Sequence, residues 1–232
     1  MRELHLFAGA GGGILGGMLL GHTTVCAVEI EPYCRRVLLQ RQRDGILPKF
    51  PIWDDVTTFD GKPWRGKVDV VCGGFPCTDI SVAGSGNGVD ASQSGLYKEM
   101  LRIVREVGCR FVFMENSPAI TFRGLGAVLR DLASMGYDAQ WGVLGADSFG
   151  ADHHRSRWWL VADSNLCRQQ ECGRKAKPIR LEQTRTGNYR KEVKRPLLGM
   201  DDGMAHWVDR LKAIGNGQVP IVAATAFNML KP

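Results

Sequence analysis

The strongest constraint on the fold is an alternation of short apolar runs with stretches of helical spacing. Residues 4–7, 24–28, 68–72, 111–114 and 158–161 are strand-like, and 68–72 is mostly β-branched. Between them, residues 13–20, 31–43, 96–107 and 122–135 carry apolar side chains at helical intervals, with Pro32 in a first turn where proline is tolerated. A β-α-β-α order predicts an α/β fold, with a parallel sheet and helices on both faces. The rhythm stops near residue 164. Residues 165–200 have little periodicity, and helix-compatible apolar sequence returns from Trp207 to the end. The expected organisation is therefore a main domain over 1–163, a small loop-rich lobe over 164–205, and a segment over 206–232 that returns to the main domain.

Charge separates the lobe from the rest. Residues 165–200 hold ten basic side chains against three acidic ones, a net +7 compared with +6 for all 232 residues. Basic excess confined to one segment points to a polyanionic partner. A chain that is 44% hydrophobic and 23% charged has enough apolar sequence for a core, which excludes a disordered protein. Seven cysteines, several of them in apolar runs, argue against a secreted disulfide framework and for a reducing compartment. Residues 4–20 are apolar but dense in glycine and contain His5, so they read as a first strand and its loop rather than a membrane span. The expectation is a cytoplasmic protein with no membrane segment.

Four motifs carry chemistry. The first, Phe7-Ala8-Gly9-Ala10-Gly11-Gly12-Gly13, lies between a strand and a helix. Glycines there let the backbone approach a ligand at a helix N-terminus, although a tight turn would explain them as well. Glu29 ends the second strand, where a carboxylate can accept ribose hydroxyls. Together they suggest a nucleoside cofactor, either a dinucleotide or S-adenosylmethionine. Asp55 follows Ile52-Trp53 and reads equally as an edge-of-sheet ligand or a solvated turn acid.

The second motif, Gly73-Gly74-Phe75-Pro76-Cys77, puts a thiol just past the carboxyl end of a buried strand, where open α/β sheets bind ligands. A cysteine there can be a nucleophile if its thiolate is stabilised; packing is the ordinary fate of the others. The third, Glu115-Asn116-Ser117-Pro118, places a carboxylate at the end of an apolar strand, which favours function over a capping turn. In the fourth, His153-His154-Arg155-Ser156-Arg157, alternation turns Arg155 and Arg157 the same way, toward a base oxygen, a phosphate or a carboxylate, or equally toward solvent. The histidines lack partners at metal-ligand spacing, so no metal is expected. Residues 85–95, rich in Gly and Ser, read as a flexible loop.

In this order the motifs resemble the DNA cytosine-carbon-5 methyltransferases, a family with short prokaryotic and phage-type members. Phe7 to Gly12 resembles the cofactor loop, Glu29 the ribose-binding acid and Asp55-Val56 the adenine-binding pair. Pro76-Cys77-x-x-x-Ser81 resembles the nucleophile motif, Glu115-Asn116 the Glu-Asn-Val motif, and Arg155-x-Arg157 the end of the Gln-x-Arg-x-Arg motif. Gly215-Asn216-Gly217-Gln218-Val219-Pro220 resembles the last motif, which returns to the cofactor site. The sequence departs from the family at His5, Thr78, Ser117 and His153, none of which removes an indispensable group. The segment between Arg157 and Gly215 is short for a target-recognition region, leaving room for a small lobe.

The resemblance implies a Rossmann-like sheet that binds S-adenosylmethionine. The cofactor contacts it implies are Phe7, Ala8, Gly9, Gly11, Gly12 and Glu29, with Ile30, Asp55, Val56, Pro76, Leu96 and Asn216. It assigns catalysis to Cys77, Glu115, Arg155 and Arg157. Cys77 would add to carbon 6 of a flipped cytosine, Glu115 would hold or protonate N3, and the methyl would pass to carbon 5 before Cys77 leaves. The implied partner is double-stranded DNA, acted on by a monomer, with a restriction endonuclease as a possible cognate. Three competing readings are a tRNA cytosine methyltransferase, a nicotinamide-dependent oxidoreductase and an inactive DNA-binding module. The second leaves Pro76-Cys77 and Glu115-Asn116 unexplained, and the third would be marked by loss of Cys77 or Glu115.

Overall fold

The computed structural model describes residues 1–76, 95–149, 155–164 and 217–232. Cys77, the loop over 85–94, His153, Asn216 and the basic lobe lie outside the described residues.

Seven strands form one sheet. In chain order they are β1 (Arg2–Leu6), β2 (Thr23–Val28), β3 (Ile52–Trp53), β4 (Val70–Gly73), β5 (Phe111–Asn116), β6 (Asp138–Gly145) and β7 (Ser156–Asp163). Their spatial order is β3-β2-β1-β4-β5-β7-β6. The chain first moves outward from β1 through β2 to β3. It then returns to lay β4 against the other side of β1. This reversal opens a crevice at the carboxyl ends of β1 and β4, where α/β sheets take ligands. The first five strands are parallel. β7 runs antiparallel to both β5 and β6, so the parallel rhythm read from the sequence holds only as far as β5. The antiparallel direction has a functional effect. It brings the start of β7, with Arg155 and Arg157, to the edge where β5 ends in Glu115 and Asn116.

Side chains alternate across the sheet with the two-residue period of strands. Val71, Val112, Met114, Trp158, Leu160 and Ala162 face one core, with Leu4 and Leu6. Val70, Cys72, Phe111, Phe113, Trp159 and Val161 face the other. The first core is covered by α3 (Gly95–Val107) and α5 (Leu125–Ser134). Helix α3 presents Tyr97, Met100, Leu101, Ile103, Val104 and Val107 as one apolar stripe. Truncating fully buried Ile103 to alanine would cost about 2–5 kcal/mol. Helix α6 (Pro220–Leu230) covers the second core with Val222, Ala223, Ala226 and Phe227. Helix α1 (Gly12–Leu19) packs on α6, and Leu38 of α2 (Pro32–Arg43) meets Ile14 and Ala27 in a third cluster.

Two expectations change in detail. Residues 122–135 are not one helix. A short α4 (Ile120–Arg123) is separated from α5 by Gly124, and Phe122 is 93% exposed rather than an apolar start to the helix. β6 is an additional strand. It lies at the sheet edge, is only half buried, and contains Gly142 and Gly145, so its sequence lacks a clear apolar alternation.

Candidate active site

The first loop is set by its glycines and by Glu29. Gly9 has φ 55° and Gly11 φ 88°, a region that suits glycine. At Gly11 a side chain is barred a second time, because its Cβ would come within 2.8 Å of Leu38 Cδ2. Phe7 adopts φ 55° despite its side chain, a strained conformation of the kind found at ligand sites. The Gly9 N–H donates to Glu29 Oε2 at 2.6 Å and the Glu31 N–H to Glu29 Oε1 at 2.8 Å. Glu29 is 6% exposed, so backbone donors rather than water satisfy its oxygens. Arg35 Nη1 donates to the carbonyls of Glu29 and Ile30, and Arg41 Nη1 donates to that of Ala10. Two arginines of α2 thus pin both loops at the edge of the sheet.

A cleft of about 590 Å³ opens along this edge. At one end it is lined by Phe7, Gly9, Glu29, Ile30, Asp55 and Val56, and at the other by Pro76, Leu96, Glu115 and Arg157. All ten were expected at the site. Asp55 Oδ1 accepts from the Thr57 N–H at 2.9 Å and the Thr57 hydroxyl at 2.8 Å, and these donors lower its pKa. Ile30 is 64% exposed, an apolar side chain held out at the cleft wall. Ala8, Gly11 and Gly12 belong to the same loop but shape it rather than line the cleft: Ala8 packs toward Ile14 and Leu38, and Gly11 caps α1. Gly217, of the last motif, lies at the cleft wall.

The other end is polar and buried. Glu115, 9% exposed, forms an ion pair from Oε1 to Arg157 Nε at 2.9 Å. Burial pushes its pKa up, against the pull of Arg157, a hydrogen bond from Gln218 and the charge of Arg155; burial wins. Arg155 Nη2 donates to the Gly217 carbonyl at 2.7 Å. Alternation therefore brings both arginines to one edge, where the charge of each acts on Glu115. Asn116 Nδ2 donates to the Phe75 carbonyl at 2.9 Å, and Asn116 Oδ1 accepts from the Ser117 N–H at 2.7 Å. The exit of β4, one residue before Pro76, is thereby tied to the end of β5.

Sequence reasoning missed Glu31, Tyr33, Cys34 and Asp54 as cleft-lining residues. They follow Glu29 into α2 or precede Asp55, and adjacency to a candidate was the only signal they carried. It also assigned no role to Glu3. This carboxylate is buried and accepts from His5 Nε2 at 2.9 Å and His22 Nδ1 at 2.7 Å. Burial alone would raise its pKa, but the two histidine bonds bring it down to about 2. Among the described residues, Glu3, His5 and Cys72 lie close enough to share an ion, yet Glu3 is already satisfied by the histidines. No described helix is long and apolar enough to cross a membrane.

The chain is similar to known proteins. Type II methyltransferase M.CviJI of Paramecium bursaria Chlorella virus IL3A is 34% identical over 162 residues, 69% of this chain and 42% of the relative. Type II methyltransferase M.NgoMIV of Neisseria gonorrhoeae is 32% identical over 177 residues, 70% of this chain and 52% of the relative. The chain thus spans about half the length of these relatives. A crystal structure of a Spodoptera frugiperda DNMT2 mutant aligns with TM-score 0.60 at 18% identity, over 77% of this chain and 54% of that one. A putative DNA modification methyltransferase from an Escherichia coli prophage aligns with TM-score 0.57 at 22% identity, over 77% and 52%. At such identities the structures speak to the fold alone. The family model for C-5 cytosine-specific DNA methylase matches residues 1–204, and the chain belongs to that family.

Proposed function

We propose that the cleft binds S-adenosylmethionine and a cytosine flipped out of double-stranded DNA, and that the chain methylates carbon 5 of that base. The observation that carries the reading is the pairing of two buried carboxylates at opposite ends of one cleft, Glu29 beside the glycine loop and Glu115 beside Arg157. The volume suits a nucleoside cofactor with a base beside it. Glu29 and the Gly9 loop fit the ribose and methionine portions, Ile30 and Asp55-Val56 the adenine. When bound, S-adenosylmethionine supplies an electrophilic methyl group.

The residues of the chain do the remaining work. Carbon 5 of cytosine is too electron-poor to take a methyl directly. Addition of the Cys77 thiolate to carbon 6 makes the ring an enamine that attacks through carbon 5. Glu115, with its raised proton affinity, holds a proton at N3 as negative charge builds there. Arg157 orients that carboxyl. Loss of the carbon-5 proton then restores the double bond and expels the thiolate. Residues 164–205 supply the target-recognition lobe, their Lys and Arg side chains meeting phosphates. Type II relatives make a cognate restriction endonuclease a natural partner, and the enzyme acts as a cytoplasmic monomer. The test is transfer of labelled methyl from S-adenosylmethionine to duplex DNA and, separately, to tRNA, with nucleoside analysis of the product. Label in 5-methyldeoxycytidine supports the reading; label only in the RNA product overturns it.

A further inference from the structure

Two glycines in the first turn of α1 are shaped around one glutamine, and a third, at the exit of β4, adjoins it. A Cβ on Gly12 would run into the Gln218 backbone carbonyl, and one on Gly13 would lie 2.5 Å from Gln218 Oε1. One on Gly74 would lie 2.6 Å from Glu115 Oε2 and 3.4 Å from Gln218 Nε2. Neither Gly12 nor Gly13 can carry a side chain while Gln218 keeps its place, whereas at Gly74 it is Glu115 that bars one, with Gln218 in ordinary contact. The glutamine sits between the first turn of α1, the exit of β4 and Glu115, to whose carboxyl it is hydrogen-bonded. A carboxylate only accepts, so the amide N–H is the donor. Arg157 holds Oε1 of Glu115, while Gln218 Nε2 lies on the Gly74 side with Oε2. The backbone at this point is itself fixed. Arg155 donates to the Gly217 carbonyl, and α6 begins at Pro220 with Val222 and Ala223 in the core. A cavity of about 40 Å³ joins the same groups, bounded by His5, Gly13, Glu115 and Gln218 among others.

We propose that Gln218 is a positioning residue, whose side chain sets the Glu115 carboxyl against the base and links that setting to the start of the cofactor-loop helix. The inference rests on the reading of Glu115 as the group that meets cytosine. The two ends of the amide act on different partners. Nε2 fixes the carboxyl, and Oε1 rests against Gly13. Misplacing either the C-terminal segment or the glycine loop therefore misplaces Glu115. The donor also favours the ionised carboxylate, so removing it moves the Glu115 pKa further up.

The test uses the full chain and two variants, Gln218→Met, which keeps the length without the donor, and Gln218→Glu, which brings a second carboxyl. The Glu115 carboxyl is followed by carbon-13 NMR against pH without cofactor, its signal identified by its loss in Glu115→Gln. Both variants should move the titration upward. In single-turnover methyl transfer, Gln218→Met should lose roughly tenfold to a hundredfold in rate, with its alkaline limb displaced to higher pH and the KM for S-adenosylmethionine changed only a few-fold. An unmoved Glu115 titration in a folded variant overturns the proposal, as does a loss that falls on KM alone. If Gln218→Met fails to fold, Gln218→Glu decides by the same titration. If the wild-type protein methylates neither DNA nor RNA, the proposed reaction fails, while the titration still decides whether Gln218 governs Glu115.

Discussion

Glu29 and Glu115 are both buried carboxylates at the carboxyl edge of one sheet, yet they are held in opposite ways. Glu29 accepts from two backbone N–H groups, those of Gly9 and Glu31. Glu115 is held by side chains, Arg157 and Gln218, and burial raises its pKa. Backbone donors are fixed by the fold, so Glu29 is held in one orientation and suits accepting hydrogen bonds from hydroxyl groups. A carboxyl whose pKa burial has raised suits holding a proton where a reaction needs one. On the proposed reading, one end of the cleft binds and the other reacts.

The largest effect that would sharpen this contrast comes from Cys77→Ser. It should abolish turnover while leaving S-adenosylmethionine affinity within a few-fold, since the proposed thiolate attacks the base and does not hold the cofactor. Duplex DNA containing 5-fluorocytosine should trap a covalent complex with the wild-type protein and not with the variant. Equal trapping by both would remove Cys77 from the mechanism. Next, Glu115→Gln should slow methyl transfer by about 10²–10⁴-fold. Sign and window follow from the raised pKa: the proton on Glu115 is present at low pH and lost as pH rises through that raised value. The wild-type profile should therefore fall on its alkaline side, and the variant should lack that limb. A variant that keeps the limb would assign it to another group.

A smaller effect is expected from Glu29→Ala. Loss of hydrogen bonds from ribose to a charged acceptor would weaken S-adenosylmethionine binding by roughly 1.5–3 kcal/mol, with little effect on DNA affinity. Calorimetry showing unchanged cofactor affinity would break the assignment of the binding end. The smallest effect falls outside the cleft. Glu3 has a folded pKa of about 2 against an ordinary 4.5, so its stabilisation is present above about pH 4.5 and lost as pH falls toward 2. Glu3→Gln should cost about 1–3 kcal/mol at pH 7 and flatten the loss of stability below pH 5. Urea denaturation at pH 7 and pH 3 would show a difference that narrows in acid; a constant difference would mean that the histidine pair is not the cause.

What was legible in the sequence follows the same physics. Buried parallel strands are continuous apolar runs, so β1, β2, β4 and β5 stood out, and with them the residues at their carboxyl ends. β6 did not, because an edge strand pairs on one side only and its half-exposed residues need no strict pattern. The antiparallel direction of β7 is a tertiary choice that no local pattern encodes, although it decides how Arg157 meets Glu115. The break at Gly124 was hidden by helix-compatible residues on either side. In the sequence Gln218 carries no signal beyond its place in the last motif. Its role arises from a contact with Glu115 over a hundred residues earlier in the chain.

The proposed reaction is decided most directly by which atom of which nucleic acid is modified. Bisulfite sequencing of DNA from cells expressing the chain should find protected cytosines in one fixed sequence context, absent from cells expressing Cys77→Ser. Fully converted DNA in cells holding the folded protein, with protected cytosines in their tRNA instead, would contradict it.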